Sequence, residues 1–263
     1  MSADRGAGET ERVPLEAWPE ELRRACQGSR HFREIRVVRE TPSTQDVARA
    51  MGVGGVAMAW RQTAGRGRLG RAWQDTLEDG LAISVCVPAE VGALASVAAG
   101  IAAAIAIEGA IVAACPPAPT VALKWPNDLL IQGRKVGGIL VEGDGKLLTI
   151  GIGINCSQRQ FTGELTNRAT SLALHGASVD RLEIAVRLLP ELDRWLHTEA
   201  RTIADEFSRR DALVGTELSF STASGIVSGI VRGVDVVEGI RVETHDGVIT
   251  LDPRTSCIVA KLS

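Results

Sequence analysis

This sequence of 263 residues lacks several features that would assign a protein class directly. Its first residues, MSADRGAGETERV, are polar and acidic and contain no apolar segment typical of a secretory signal. The formal net charge of −3 gives no general attraction for nucleic acid or for an anionic membrane. We therefore expect a cytoplasmic protein that binds neither nucleic acid nor a membrane.

The cysteines provide neither a disulfide framework nor a zinc site. Their number, 5, is odd, no two of them have CxxC spacing, and no histidine cluster lies near them in the sequence. This pattern fits a reducing compartment, and we interpret them as small core or surface thiols. They are Cys26, Cys86, Cys115, Cys156 and Cys257.

One long apolar stretch, from Val91 to Cys115, requires a decision about the membrane. It is rich in alanine and glycine, carries Glu108 and has no lysine or arginine at either end. A spanning helix needs about 20 strongly apolar residues. We therefore predict a buried helix between prolines.

Strand and helix patterns divide the rest of the chain and predict an α+β fold. Residues 1–30 form a polar extension with one short amphipathic piece, PLEAWPEELRRAC, and disorder is the default expectation for the extension. Residues 31–212 show strands joined by glycine turns, then a long helical stretch that Pro190 should kink or divide. Residues 213–263 contain short β-rich runs between Gly and Asp turns, which predicts a small β-barrel.

Positive charge is concentrated in one short loop, TAGRGRLGR, from Thr63 to Arg71. Glycine adopts positive φ easily and allows close approach of a ligand, while arginine offers a planar fork of donors for carboxylates and phosphates. This arginine loop, defined as residues 63–73, is predicted to be mobile and to close on a small anion. The alternative is a solvated basic turn.

Four separated segments occur in a characteristic order: STQ at 43–45, QTAGRGRLGRAW at 62–73, KWPNDLLIQGRKVGGILVE at 124–142, and GIGIN at 151–155. Together with TSL at 170–172, they resemble the catalytic domain of biotin protein ligases, and the resemblance extends from about residue 35 through the predicted barrel. It implies a mixed or antiparallel-sheet catalytic domain of the biotin/lipoate ligase type, followed by an SH3-like barrel. Members of that family form biotinyl-5′-AMP and pyrophosphate from biotin and ATP. They then attach biotin to a lysine ε-amine of a biotin carboxyl carrier domain of a carboxylase such as acetyl-CoA carboxylase.

The resemblance implies four catalytic residues, Lys135, Arg68, Asp128 and Lys124. The biotin carboxylate must approach the α-phosphate, so cations between these two anions would lower the barrier. Asp128 is the candidate to orient the acceptor amine or take its proton, because a lysine with a pKa of about 10.4 is mostly protonated at neutral pH. Outside this context, the lysines would be exposed strand ends and Asp128 would form an Asx turn.

The resemblance also implies a set of ligand-binding residues. Ser43 and Thr44 offer hydroxyl groups to the biotin ureido group, although an ordinary helix cap would use the same residues. Gln45 stands where the family commonly has asparagine, and Trp73 is expected to cover the adenine unless it is a core residue. The set comprises Ser43, Thr44, Gln45, Gln62, Gly65, Arg66, Gly67, Arg68, Arg71, Trp73, Lys124, Asn127, Lys135, Gly138, Gly153 and Asn155.

No separate phosphate-binding or metal-binding motif is present in the sequence. There is no Walker GxxxxGK[ST], and GIGIN lacks the complete GxGxxG arrangement. Phosphate binding must therefore come from the arginine loop and the lysines. We expect Mg²⁺ to arrive with ATP, since no carboxylate cluster indicates a dedicated metal site.

Three alternative functions remain to be separated. Too few residues precede the first core strand for a winged helix-turn-helix, so we expect a ligase without repressor activity. A lipoate or octanoate transferase shares the related fold, but the intact GRGRLGR loop argues against it. A non-catalytic module that binds biotin or a nucleotide would lack biotin-dependent ATP–pyrophosphate exchange. The oligomeric state, monomer or homodimer, stays open, and Arg232 and Arg254 are possible contributors from the barrel.

Overall fold

The computed structural model describes residues 13–73, 80–114, 116–117, 119–236, 238–252 and 255–261, with only the backbone at 260 and 261. Seven strands form its larger sheet, in the spatial order β1-β2-β3-β7-β6-β5-β4. They are β1 (Glu34–Thr41), β2 (Gly55–Gln62), β3 (Gly80–Pro88), β4 (Ala122–Lys124), β5 (Asp128–Ile131), β6 (Arg134–Gly143) and β7 (Leu147–Asn155).

Only one pair of neighbouring strands in this sheet, β1 and β2, runs parallel. A parallel pair needs a crossover connection, and helix α2 (Thr44–Met51) supplies it. The Ser43 side chain caps α2 by accepting the backbone N–H of Gln45 at 3.3 Å. The cap places residues 43–45 beside the end of β2, where the arginine loop begins.

Helix α3 (Ala95–Ala114) is the alanine-rich stretch. Among the described residues it is the one helix long and apolar enough to cross a membrane, but most of it is buried inside the protein. It packs against β6, β7 and helix α4 (Arg181–Leu196). The prediction of a buried core helix is confirmed.

The C-terminal helical stretch is divided, but not at Pro190. Helix α4 continues through Pro190, whose side chain is exposed, while Leu188, Leu189 and Leu192 are buried on either side. Burial of these leucines holds the helix together across the proline. The break follows Leu196, and α5 (Ala200–Arg210) begins after it.

The expectation that residues 1–30 form a disordered polar extension is wrong for the part that the structure describes. Helix α1 (Trp18–Ala25) packs on α4 and β1, with Trp18 2% and Leu22 0% exposed. Trp18, Leu22 and Cys26 recur every fourth residue and share one helix face. The helix is polar in composition because its other faces meet solvent. Residues 1–12 lie outside the described chain.

The C-terminal part is a five-stranded antiparallel sheet in the order β11-β10-β9-β8-β12. Its strands are β8 (Glu217–Thr222), β9 (Gly225–Asp235), β10 (Gly239–Thr244), β11 (Gly247–Leu251) and β12 (Cys257–Lys261). The α+β fold with a small C-terminal β domain is confirmed. The SH3-like closure and the domain boundaries at 31 and 213 stay predictions. Phe220 and Val231 of the C-terminal part join the same continuous core as α3 and α4.

Candidate active site

A cleft of about 940 Å³ lies over β6 and β7. The start of α2, the arginine loop, the turn between β4 and β5, and the C-terminal β domain complete its wall. Folding brings together every sequence-predicted site residue except Gly65, which does not line the cleft. The lining residues from that set are Ser43, Thr44, Gln45, Gln62, Arg66, Gly67, Arg68, Arg71, Trp73, Lys124, Asn127, Asp128, Lys135, Gly138, Gly153 and Asn155.

A hydrogen-bond network fixes the polar groups at the start of α2. Thr44 donates its backbone N–H at 2.8 Å and its hydroxyl at 3.0 Å to the Oε1 atom of Gln62. The Thr44 hydroxyl also lies 2.7 Å from the Ser84 hydroxyl on β3. These contacts set the orientation of the Gln62 amide in the cleft wall. Ser43 therefore caps the helix while it lines the cleft.

Gln45 leaves a buried acceptor at the cleft. Its Nε2 donates to the Leu140 carbonyl at 3.1 Å, and the residue is only 4% exposed. Its Oε1 has no hydrogen-bond partner within the described part of the chain. A Cβ at Gly151 would come within 2.9 Å of the Gln45 amide, so glycine there makes room for the longer side chain. An unpaired buried acceptor is costly, which favours a ligand that brings a donor.

The arginine loop is a closed hairpin in the structure. Arg66 and Ala72 form an antiparallel bridge, and Gly67 donates to the Arg71 carbonyl at 2.7 Å. The Gly65 carbonyl accepts the backbone N–H of Trp73 at 2.8 Å, and a Cβ at Gly65 would lie 2.7 Å from the Trp73 carbonyl oxygen. Gly65 thus closes the base of the hairpin. Its contact with a ligand, and the mobility of the loop, stay predictions.

Arg66 is engaged by carboxylates of the protein itself. It pairs with Asp46 at 2.8 Å and with Glu142 at 2.9 Å. Hydrogen bonds to these two carboxylates raise the pKa of Arg66, and the same bond lowers the pKa of Asp46. The charge of Arg66 is therefore largely compensated, and its side chain ties the loop to α2 and β6.

Arg68 reaches across the cleft to the turn between β4 and β5. Its Nη1 donates to Oδ1 of Asn127 at 3.4 Å, while Asn127 donates from Nδ2 to the Ile139 carbonyl at 3.0 Å. Burial lowers the pKa of Arg68, and the nearby carboxylate of Asp128 opposes that shift. Arg68 thus carries its charge into a partly desolvated position, where it interacts more strongly with an anion.

The lysines and Asp128 meet on adjacent strands. Asp128 lies opposite Lys124 in the β4–β5 ladder and forms an ion pair with Lys135 on β6. Burial lowers the pKa of Lys124, Asp128 opposes this, and the positive charges of Arg168, Lys135 and Arg71 lower it further. Four cationic side chains, those of Lys124, Lys135, Arg71 and Arg168, therefore lie close to the Asp128 carboxylate.

Glycines in β6 and β7 make room for Trp73 and Lys135. A Cβ at Gly153 would lie 2.5 Å from Cε2 of Trp73, and a Cβ at Gly138 would lie 3.2 Å from Nζ of Lys135. The Lys135 ammonium is 5.7 Å from the centroid of the Trp73 ring. Trp73 therefore packs on the strand backbone inside the cleft rather than in the core.

Asn155, at the end of β7, donates from Nδ2 to the Thr170 carbonyl at 2.9 Å. Thr170 belongs to the segment after β7, which also pairs with β6: the N–H of Lys135 donates to the Arg168 carbonyl at 2.8 Å. This segment brings Arg168 and Phe161 into the cleft wall. No motif predicts these two residues, and only the nearby TSL at 170–172 indicates their surroundings.

The C-terminal β domain also contributes residues that sequence reasoning missed, namely Phe220, Ser256, Cys257 and Ile258. Arg232, the possible contributor from this domain, is paired with Glu243 on β10 and does not line the cleft. The cross-strand carboxylate holds Arg232 on an exposed face, and a role for it in receiving the carrier stays a prediction. Arg254 lies outside the described residues.

A group of potential metal ligands lies apart from the cleft. Ligand atoms of His31, Asp193 and His197 lie within 4.8 Å of one another. The two imidazole rings are stacked, with centroids 4.3 Å apart and planes inclined by 18°. Because ring nitrogens bind metal in the ring plane, two stacked rings do not aim at one common point. This group packs the segment after α1 against α4.

Comparisons with known proteins identify the family of the chain. The model of the biotin/lipoate A/B protein ligase family matches residues 36–157. The biotin–[acetyl-CoA-carboxylase] ligase of Mycobacterium tuberculosis is 36% identical over 221 residues, which cover 78% of this chain and 81% of that protein. The bifunctional ligase/repressor BirA of Escherichia coli is 34% identical over 206 residues, covering 74% of this chain and 63% of that protein. A structure of the biotin protein ligase from Aquifex aeolicus, in complex with biotin and ATP, has a TM-score of 0.74 at 28% identity and covers 87% of this chain and 99% of its own.

The fold is thus that of protein ligases that act with biotin or lipoate. The chain belongs to the biotin/lipoate A/B protein ligase family, in its biotin protein ligase branch. The resemblance expected from the four sequence segments is confirmed.

Proposed function

We propose that the protein activates biotin with ATP to biotinyl-5′-AMP and pyrophosphate, and then transfers biotin to one lysine of a biotin carboxyl carrier domain. The observation that carries this proposal is the convergence of Lys135, Lys124 and Arg68 beside Trp73 in one cleft. An aromatic face next to a concentration of positive charge suits a nucleotide and its phosphates.

In the first step, a biotin carboxylate oxygen attacks the α-phosphorus of ATP, and the bond from that phosphorus to the pyrophosphate oxygen breaks. Lys135 and Arg68 are assigned to hold the carboxylate and the α-phosphate together, since cationic donors reduce the repulsion between them. Lys124 adds positive charge beside Asp128, although burial lowers its pKa. An anion in the cleft would relieve the repulsion among these cations.

Biotin is assigned to the end of the cleft formed by the start of α2. Its ureido ring offers two N–H donors and one carbonyl acceptor. The Oε1 of Gln45 is a buried acceptor without a partner among the described residues, and Ser43 and Gln62 line the same wall. A lipoyl dithiolane ring has no N–H donor to satisfy Gln45, which favours biotin over lipoate.

In the second step, the neutral ε-amine of the carrier lysine attacks the acyl carbon. An amide forms, AMP leaves with the electrons of the acyl–oxygen bond, and the amine loses one proton. Asp128 is assigned to receive that proton or to orient the amine, as its carboxylate lies in the cleft beside Lys135. Binding of a phosphate to Lys135 would release Asp128 for this role.

Mg²⁺ is assigned to ATP rather than to the protein. The described lining of the cleft offers only two carboxylates, Asp128 and Glu164, and Asp128 is paired with Lys135. Phosphate oxygens and water would therefore supply most ligands of the ion. We further propose that the enzyme works in the cytoplasm, as a monomer or homodimer, on a carboxylase carrier domain.

The test is transfer of labelled biotin to a purified biotin carboxyl carrier domain, with and without ATP. We expect ATP-dependent labelling of one carrier lysine, together with biotin-dependent ATP–pyrophosphate exchange. Lipoate in place of biotin tests the lipoate or octanoate transferase alternative, for which lipoate and not biotin would be transferred. Tight binding of biotin without exchange would identify a binding module and refute the proposal.

A further inference from the structure

A buried arginine outside the cleft bridges two strands of the larger sheet. Arg181 is the first residue of α4 and is 7% exposed. Its Nη1 donates to the carbonyl of Trp60 on β2 at 2.7 Å and to the carbonyl of Gly80 on β3 at 3.2 Å. One guanidinium nitrogen therefore satisfies backbone acceptors of two different strands.

These two carbonyls lie where β2 and β3 part. The ladder between the strands ends at the pair Ala59 and Ala82. Beyond it, β2 continues beside β1 as far as Gln62, whereas the start of β3 pairs with β7 through Gly80 and Asn155. The arginine loop leaves β2 directly after Gln62. Arg181 thus replaces the missing ladder contacts at the base from which that loop extends.

The N-terminal helix covers this arginine. The guanidinium carbon lies 3.9 Å from the ring centroid of Trp60 and 5.4 Å from that of Trp18. The two indole rings are 5.4 Å apart, and Trp18 is only 2% exposed. A guanidinium held by carbonyls and aromatic faces has its planar geometry fixed, which a lysine ammonium could not reproduce.

We propose that Trp18, Arg181 and Trp60 form a clamp that sets the separation of the β2 and β3 ends and thereby keeps the arginine loop closed over the cleft. Arg181 is then a positioning residue, and α1 acts on the site although it does not line it. The proposal rests on the proposed function only for its second readout, the retention of biotinyl-AMP.

Limited trypsin cleavage tests the clamp without any assumption about activity. Arg66, Arg68 and Arg71 are trypsin sites within the loop, and exposed Arg232 on β9 is the internal reference. In the full-length chain, we expect Arg181→Met to speed loop cleavage about tenfold relative to cleavage at Arg232, because the population with an open loop rises. Arg187→Met is the matched control, since Arg187 lies on an exposed face of the same helix and pairs with Glu183.

Conservative variants separate the clamp from general destabilisation. Arg181→Lys keeps the charge but loses the fork, so we expect an intermediate rate of loop cleavage. Trp18→Phe keeps an aromatic face and should lie near wild type, whereas Trp18→Ala should approach Arg181→Met. Equal acceleration at the loop and at Arg232, or no acceleration in Arg181→Met, would overturn the clamp.

Release of preformed labelled biotinyl-AMP is the second readout. We expect faster release from Arg181→Met than from Arg187→Met. If the wild-type protein forms no biotinyl-AMP but Arg181→Met still opens the loop, the proposed function fails and the clamp stands. If release and loop cleavage both match the control, the clamp fails and the proposed function stands.

Discussion

At the scale of single residues, the position of Lys135 allows a direct test of the first step. Replacing it by methionine removes the ammonium that pairs with Asp128 and lies beside Trp73. Loss of one such electrostatic donor typically costs about 10²–10³ in rate. We expect a fall of that size in biotin-dependent ATP–pyrophosphate exchange. Lys146→Met, at an exposed turn before β7, is the control, and an equal loss in both variants would contradict the assignment.

Gly153 tests the position of Trp73. A Cβ there would lie 2.5 Å from Cε2 and 2.7 Å from Cζ2 of the indole, so Gly153→Ala must displace the ring. If the ring covers adenine, the KM for ATP should rise about tenfold, as expected from the loss of one stacking contact. Steady-state kinetics with biotin and ATP varied separately would measure this. Gly109→Ala, in α3, is the control because its Cβ would meet nothing closer than 3.6 Å. An unchanged KM for ATP would place the nucleotide elsewhere.

The sequence motifs could predict which residues lie at the site, but not which side chains contact one another there. The segment around KWPND singled out Lys124 and Asp128, and both line the cleft, while their roles stay predictions. Arg66 forms ion pairs with Asp46 and Glu142, which lie far from it in the sequence, and no local pattern encodes such a pairing. The same limit hid Arg181, whose partners are backbone carbonyls on two other strands.

At the scale of elements, α1 is an integral part of the core, and its removal should be costly. Leu22 is fully buried, so Leu22→Ala should reduce the free energy of unfolding by about 2–5 kcal/mol. Arg24→Ala, two residues away on the exposed face, should change it by no more than about 0.5 kcal/mol. Urea unfolding followed by tryptophan fluorescence measures both. Equal small effects would mean that α1 is not docked in solution.

The strands and long helices were predictable because their hydrophobic patterns agree with their final burial. The alanine-rich α3 shows this, since a helix that is apolar on every side must be buried. Helix α1 lies within the amphipathic piece of the polar extension, but its docking into the core was not predicted because one narrow face, with Trp18 and Leu22, supplies all of its burial. The chain around Arg168 was missed for another reason: it is held by backbone pairing with Lys135 and has no periodic pattern of its own.

At the scale of the whole molecule, Cys257 reports on the wall that the C-terminal β domain contributes to the cleft. Cys257 is partly exposed there, whereas Cys26, Cys86 and Cys156 are buried. Burial raises the pKa of Cys26 to about 12, with Asp193 adding to the shift, which makes that thiol unreactive. A maleimide reagent should therefore modify Cys257 before these three thiols.

Biotin and ATP together should slow that modification, because they occupy the cleft that Cys257 lines. Mass spectrometry of the labelled peptides measures the rate at each cysteine. Cys257→Ser should remove the ligand-sensitive labelling and leave the other thiols unchanged. If Cys257 is labelled at the same rate with and without the ligands, the C-terminal domain does not line the site that biotin and ATP occupy.

Stability should also depend on pH through His31, which packs the segment after α1 against α4. Burial lowers the pKa of His31, and the positive charges of His197, Arg30 and Arg33 lower it further, while Asp193 opposes them. The unfolded chain then binds a proton on His31 more readily than the folded chain. Its contribution to stability is therefore complete above the ordinary histidine pKa of about 6.5, and it is lost as pH falls from there through the folded pKa.

We therefore expect the urea midpoint to fall between pH 7.5 and pH 5.5, and His31→Gln to reduce that fall. Part of the fall should persist in the variant, because burial also lowers the pKa of His175. His245→Asn is the control, since the His245 side chain is fully exposed in the turn between β10 and β11, and this variant should leave the pH dependence unchanged.

Since Trp18 and His31 both lie in the N-terminal segment that packs on α4, acidification should also loosen the cover over Arg181. Trypsin cleavage of the arginine loop at the two pH values, corrected for the activity of trypsin, would then rise in wild type more than in His31→Gln. An identical rise in both would show that His31 does not couple the N-terminal segment to the loop.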